Sequence, residues 1–134
     1  MDEGVFLIGF SEEEVQRIKG ALKGVSVHEV PKECLTWRLG EIVERRPDGR
    51  GNWHERRFLI THGDNELIKR VISAVRSLRL GRVIFVSTTP ISLGRTLDDL
   101  IQEWIEEDEY FRAYQRARRG IKGRGGPFLD IKKG

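Results

Sequence analysis

At 134 residues, with 38% hydrophobic and 34% charged side chains, the chain has room for one real core and is too apolar for a disordered polymer. No apolar run reaches membrane-spanning length, and the lone Cys34 excludes an intrachain disulfide and a cysteine-based zinc framework. The net charge of +3 is uneven: residues 112–134 hold eight basic residues against one acid, giving +7, so residues 1–111 sum to −4.

In chain order, Val5 to Phe10 is a buried-strand run. It is too short, and too acidic in its flanks, for a signal peptide, so the expected location is cytoplasmic. Arg outnumbers Lys while Asn, Cys and Met are scarce, a balance that fits a thermophilic source. Ser11-Glu12-Glu13-Glu14 forms a capping box: the Ser hydroxyl accepts from the backbone three residues on, and Glu14 reaches back. Val15, Ile18, Ala21 and Leu22 then share one helical stripe, and Gly24 ends the helix. Val25 to Pro31 reads as a second strand, and Thr36 to Glu44 as a second, shorter helix. Arg45 to Asn52 is dense in turn residues and joins the halves.

The second half repeats the order. Phe58 to His62 is a strand, Asp64 a helix N-cap, and Ile68, Val71, Ala74, Val75 and Leu78 a helix stripe. Val83 to Val86 is the next strand, followed by Pro90 as a turn former. Thr96 caps the last helix with Asp99 in the reciprocal position. Its stripe of Leu97, Leu100, Ile101, Trp104, Ile105 and Phe111 carries it toward Arg119. FLIGFSEEEV matches FLITHGDNEL, and RLGEIVE matches TLDDLIQE, in the same order, which points to an internal duplication.

The expected architecture is one α/β domain over residues 1–119, built of duplicated β-α-β-α units at about 4–46 and 57–119, with a basic, glycine-rich tail at 120–134. Right-handed crossovers and a pseudo-twofold between strands one and three predict a mostly parallel four-stranded sheet of order 2-1-3-4, with helices on both faces. A ferredoxin-like plait is disfavoured, since a helix intervenes where that fold needs a hairpin.

A parallel sheet of this order would place a ligand crevice between Gly9-Phe10-Ser11 and Thr61-His62-Gly63. Ser11, Thr61 and His62 are therefore candidate binding residues. The helix starts there carry Glu12-Glu13-Glu14 and Asp64-Asn65-Glu66, which disfavour an anion. His62 is the best-placed acid or base, although a strand-end histidine bonded to backbone is the commoner role. Ser87 to Arg95 resembles a phosphate-binding turn and makes Thr88, Thr89 and Arg95 further candidates, but Asp98 and Asp99 occupy the positive helix end a phosphate needs. Neither His28, His54 and His62 nor Cys34 falls in a metal-ligand or nucleophile signature. No cofactor is expected.

The last helix has seven acids and no bases from Asp98 to Glu109, then Arg112, Arg116, Arg118 and Arg119, an order that the helix dipole favours. Arg116, Arg118, Arg119, Lys122 and Arg124 form a candidate phosphate-contacting tail for RNA or DNA, a composition shared with solvated tails. Gly120-Ile121-Lys122-Gly123 matches a KH-type GxxG loop in letters alone, because too few residues follow to build that fold.

Several motifs together resemble the domain-of-unknown-function family numbered 3783, whose pattern includes a Phe-Ser-acidic helix start, a strand ending in Thr-Pro-Thr, and a Trp-Thr-Leu-x-Glu-Leu helix opening. The first half supplies Phe10-Ser11-Glu12 and Trp37-Arg38-Leu39-Gly40-Glu41-Ile42. The second supplies Thr89-Pro90-Ile91-Ser92 and Thr96-Leu97-Asp98-Asp99-Leu100, with Arg95 where the pattern has Trp and Ile91 where it has the second Thr. The resemblance reaches about Tyr110 and implies no activity. The expected function is a small intracellular, non-catalytic binding or regulatory module, partnered by a protein or by a second copy. Its rivals are a nucleic-acid-associated protein using the tail and, more weakly, an enzyme with a site around Ser11, Thr61 and His62.

Overall fold

The computed structural model describes residues 2–120. The two apolar runs that open each half become the central strands, β1 (Gly4–Ile8) and β3 (Phe58–His62), with all of β1 buried. β2 (Val27–Glu29) and β4 (Ile84–Ser87) flank them, and the order β2-β1-β3-β4 is the expected one.

The expectation of a mostly parallel sheet is corrected. β1 pairs with β2 in parallel and β3 with β4 in parallel, but β1 and β3 run antiparallel, with Gly4 opposite His62 and Ile8 opposite Phe58. The reason is geometric: a twofold axis normal to a sheet and lying between neighbouring strands reverses one of them. The expected pseudo-twofold between β1 and β3 is therefore compatible with a mixed sheet and not with a mostly parallel one. The crossover rule constrains only the two strand-helix-strand units, and both of those are parallel.

The helices of the described residues are α1 (Glu12–Ala21), α2 (Leu39–Arg45) and α3 (Asn65–Arg76) between the strands, then α4 (Pro90–Leu93) and α5 (Leu97–Gly120) after β4. Ser11 caps α1 in the expected box, accepting from the Glu14 N–H at 3.2 Å while Glu14 accepts from the Ser11 N–H at 3.0 Å. Asp64 caps α3 by accepting from the Leu67 N–H at 2.9 Å. Thr96 accepts from the Asp99 N–H at 3.4 Å, as expected of a cap. Alternation along the central strands sends Val5, Leu7 and Leu59 into a core with Phe10, Val15 and Ile18 of the α1 region and Leu67, Val71 and Val75 of α3. Phe6, Ile8, Phe58 and Ile60, all fully buried, face the other way, and there Arg46, at the C-terminus of α2, lies 5.9 Å over the Phe6 ring.

Two joints differ from expectation. Lys32–Thr36 is a 3-10 turn, so α2 starts at Leu39 instead of Thr36. Pro90 is the first residue of α4 instead of a plain turn former; its fixed φ suits that position and its missing N–H has no helical partner to lose. The residues preceding α2 and α5 meet in an isolated antiparallel bridge, Arg38 opposite Thr96. The Leu39 N–H donates to the Arg95 carbonyl and the Leu97 N–H to the Trp37 carbonyl, each at 2.9 Å.

Contacts divide the chain between Leu100 and Ile101. Through Leu100 it forms the sheet and its helices; from Ile101 to Gly120 it is the remainder of one helix. Among the described residues Trp104 is the last that is buried.

Candidate functional site

The antiparallel β1–β3 pair separates residues that a parallel sheet would have gathered. Gly4 lies opposite His62, so Ser11, beyond the other end of β1, stands at the opposite end of the sheet. The expected crevice between Ser11 and His62 does not form. Ser11 serves as the α1 cap. Thr61 is buried opposite Val5, and its carbonyl accepts from the Thr88 N–H at 3.1 Å.

What does come together is His62, Thr88 and Thr89. β3 and β4 are parallel, so their carboxyl ends share one edge, and antiparallel β1 brings its amino end to the same place. The result is a cleft of about 330 Å³ lined by Glu3, His62, Gly63, Thr88, Thr89, Pro90 and Leu93. His62 Nδ1 and Thr88 Oγ1 share a hydrogen bond of 2.6 Å. Burial pushes the His62 imidazole below its usual pKa, with the Arg46 charge acting in the same direction and Glu3 opposing. The ring is therefore neutral at pH 7, beside a carboxylate and hydroxyls. Such a lining recognises hydrogen-bonding groups and gives an anion no countercharge.

Thr89 is largely committed to structure. Its hydroxyl accepts from the Ser92 N–H at 3.0 Å, and the Ser92 hydroxyl accepts from the Thr89 N–H at 2.8 Å, a complete capping box for α4. Arg95 lies between α4 and α5 and contributes its carbonyl to the bridge with Leu39. The stretch from Ser87 to Arg95 is thus a pair of capped joints with a cleft beside them.

The other parallel pair ends differently. The joint between the halves folds back over the carboxyl ends of β1 and β2. The Gly9 N–H donates to the Gly51 carbonyl at 2.6 Å, the Gly51 N–H to Glu29 Oε1 at 3.0 Å, and Trp53 Nε1 to the Val30 carbonyl at 2.8 Å. The β1–β2 end is sealed by the chain itself, while the β3–β4 end is open.

Arg46 carries more of the site than the sequence reading assigned to it. It takes a left-handed conformation (φ 53°) at the end of α2. One guanidinium nitrogen donates to the Asp2 and Glu3 carbonyls at 2.6 and 2.9 Å, and the other reaches Ser26 Oγ at 2.8 Å and His28 Nε2 at 3.1 Å. It thereby fixes the segment carrying Glu3. A non-glycine residue at positive φ has no clear local signature, and only glycine's absence from this helix end hinted at it.

His28, His54 and Cys34 are engaged in local packing and hydrogen bonds. His28 bonds Ser26 and stacks on Phe6, with ring centroids 5.5 Å apart, and burial lowers its pKa. His54 accepts from the Arg56 N–H at 2.9 Å and meets Phe58 edge-on. Cys34 is buried, and burial with Glu33 nearby pushes its thiol up to about 11. Among the described residues no cluster of His, Cys, Asp and Glu could hold a metal ion, and no helix is long and apolar enough to cross a membrane. Arg116, Arg118 and Arg119 are exposed on the last turns of α5, and Lys122 and Arg124 lie outside the described residues.

No curated protein and no solved structure matches the chain. The resemblance noted in the motifs holds for the second half; the first half lies outside the matched residues. Residues 57–111, from the entry of β3 into α5, match the model of a domain of unknown function, DUF3783.

Proposed function

We propose that the protein is a non-catalytic binding module whose ligand site is the cleft at the carboxyl ends of β3 and β4. The carrying observation is the convergence of Glu3, His62 and Thr88 on one open cleft of about 330 Å³. A neutral imidazole paired with a hydroxyl, next to a carboxylate, suits a small neutral or cationic ligand with several hydrogen-bonding groups. The repeated order of strand, helix, strand, short helical turn and helix, together with the mutual Arg38–Thr96 bridge, supports descent of the two halves from one duplicated unit. On that account the joint carrying Gly51 and Trp53 closed one strand end and left the other for a ligand.

The test is ligand-observed NMR with a small library of amines, amides, carboxylates and phosphates, run on the full chain and on His62→Ala and Thr88→Val. Amines and amides are expected to bind the natural chain, and both substitutions to abolish that signal. Preferential binding of phosphates, or amine binding that survives both substitutions, would refute the assignment.

A second reading, association with nucleic acid through Arg116, Arg118, Arg119, Lys122 and Arg124, is favoured by the +7 charge of residues 112–134. It predicts binding to an oligonucleotide that weakens steeply with salt and is lost on truncation after Arg119. Retention of binding after that truncation contradicts it.

A further inference from the structure

We infer that His28 and Arg46 form a protonation-controlled clasp on the N-terminal segment: the neutral His28 ring holds Arg46 on the Asp2 and Glu3 carbonyls, and the protonated ring releases Arg46 and the segment with it. Glu3 supplies the carboxylate of the β3–β4 cleft, so the clasp sets whether that carboxylate is in place. This consequence rests on the function proposed above, whereas the clasp itself does not.

Arg46 sits in a built seat. A Cβ on Gly4 would come within 2.8 Å of its Nη1, so β1 opens on a residue that leaves room for the guanidinium. The guanidinium lies 5.9 Å over the Phe6 ring, and His28, which the β1–β2 register sets opposite Phe6, stacks on the same ring. Nη2 donates to the Asp2 and Glu3 carbonyls, while Nη1 donates to Ser26 Oγ and, at 3.1 Å, to His28 Nε2. One side chain therefore joins edge strand β2 to the segment that enters β1. Gly4, next to Glu3, lies opposite His62 of the cleft.

The chemistry of the pair makes it switchable. A guanidinium has donors and no acceptor, and it stays charged throughout the range in which imidazole titrates. It can hold His28 only through a lone pair on Nε2, which leaves the neutral ring's proton on Nδ1. Ser26 Oγ meets the same nitrogen. A proton added at Nε2 takes away that lone pair and sets a second cation directly against Arg46. Among the charged groups around the ring, Arg46 at the end of α2 and Lys19 on α1 oppose the proton, and Asp48 in the joint favours it. Phe6, on the strand beside it, carries no charge. Burial outweighs all of these and, with Arg46, keeps the ring below its ordinary value of 6.5. The clasp is thus closed at pH 7 and opens as pH falls below that value. His28 is only half-buried, on an edge strand, so solvent protons reach it.

The experiment follows the full chain by NMR from pH 7 to pH 5, reading the His28 ring titration beside the backbone order parameter of Glu3. His28→Gln and Arg46→Lys are compared, with circular dichroism confirming that each is folded. Glu3 should be ordered at pH 7, at about 0.85, and should fall below about 0.6 with the midpoint of the His28 ring. The Gln amide keeps an acceptor that does not titrate, so Glu3 should stay ordered across the range in His28→Gln. A lysine lacks the fork that spans these acceptors, so Arg46→Lys should be loose already at pH 7. A Glu3 that stays ordered while His28 takes up its proton would overturn the inference. So would loosening that persists in His28→Gln, which would assign it to His62, or an Arg46→Lys chain as ordered as the natural one. Glu3 is read without any ligand, so the clasp stands or falls apart from the cleft assignment, which the ligand library decides.

Discussion

Glu14, in the first turn of α1, holds Arg57, at the threshold of β3, through hydrogen bonds of 3.1 and 2.8 Å. The two meet because β1 and β3 are antiparallel, which sets the exit of one strand beside the entry of the other. The same carboxylate accepts from the Ser11 N–H, so one side chain closes the α1 capping box and ties it to β3. Arg57, before any other group, holds the Glu14 carboxyl below its ordinary pKa.

Replacing Glu14 with Gln should therefore destabilise the fold by about 1–2 kcal/mol, the range for losing a charged hydrogen bond, while the Gln carbonyl still accepts from the Ser11 N–H. The contribution of a carboxylate with a depressed pKa is complete above its ordinary value of 4.5 and fades as pH falls through its folded value. Urea denaturation at pH 7 and at pH 3 should show the difference from the natural chain shrinking at the lower pH. A difference equal at both would show that the charge pair contributes nothing.

Gly9 and Gly24 share a left-handed backbone, with φ of 88° and 86°, and differ in surroundings. A Cβ on Gly9 would sit 1.8 Å from the Arg56 carbonyl oxygen, whereas nothing lies within 4 Å of one on Gly24. Gly24→Ala should cost about 1 kcal/mol of backbone strain, and Gly9→Ala about 3 kcal/mol or more, because backbone at the β1–β3 junction must move. Thermal unfolding of both variants checks the ordering.

His28, His54 and His62 all have pKa values depressed first by burial. Unfolding releases each to bind a proton more readily, so stability is complete above the ordinary value of 6.5 and declines as pH falls toward the folded values. The midpoint of denaturation should drop between pH 7 and pH 5, before the carboxylates titrate. A midpoint that rises over this range contradicts the assignment of neutral, half-buried rings.

Cys34, with its thiol pushed up to about 11, should resist alkylation at pH 8 in the folded protein and react at the ordinary rate in denaturant. Equal rates in the two states would show an accessible thiol.

Much of this fold is legible in the residues. The caps at Ser11, Asp64 and Thr96 and the runs that become β1 and β3 follow from local chemistry. Strand direction is not local. The alternation of Phe58-Leu59-Ile60 reads the same in either orientation, and the direction of β3 against β1 is set by their pairing in the sheet. That single reversal moved Ser11 to the far end of the sheet and left His62 with Thr88 and Thr89, residues the sequence had marked for separate reasons. Arg46 has no local signature because its partners, Glu3 and His28, are brought to it by the sheet and not by sequence spacing.

On the proposed function, the open end of β3 and β4 is where the protein binds. The most direct measurement is amide chemical-shift mapping of the full chain titrated with the tightest amine or amide found for it. Shifts concentrated at Glu3, His62, Gly63, Thr88 and Thr89 are the predicted result. Shifts concentrated at Gly9, Phe10 and Ser11, at the opposite end of the sheet, would contradict it.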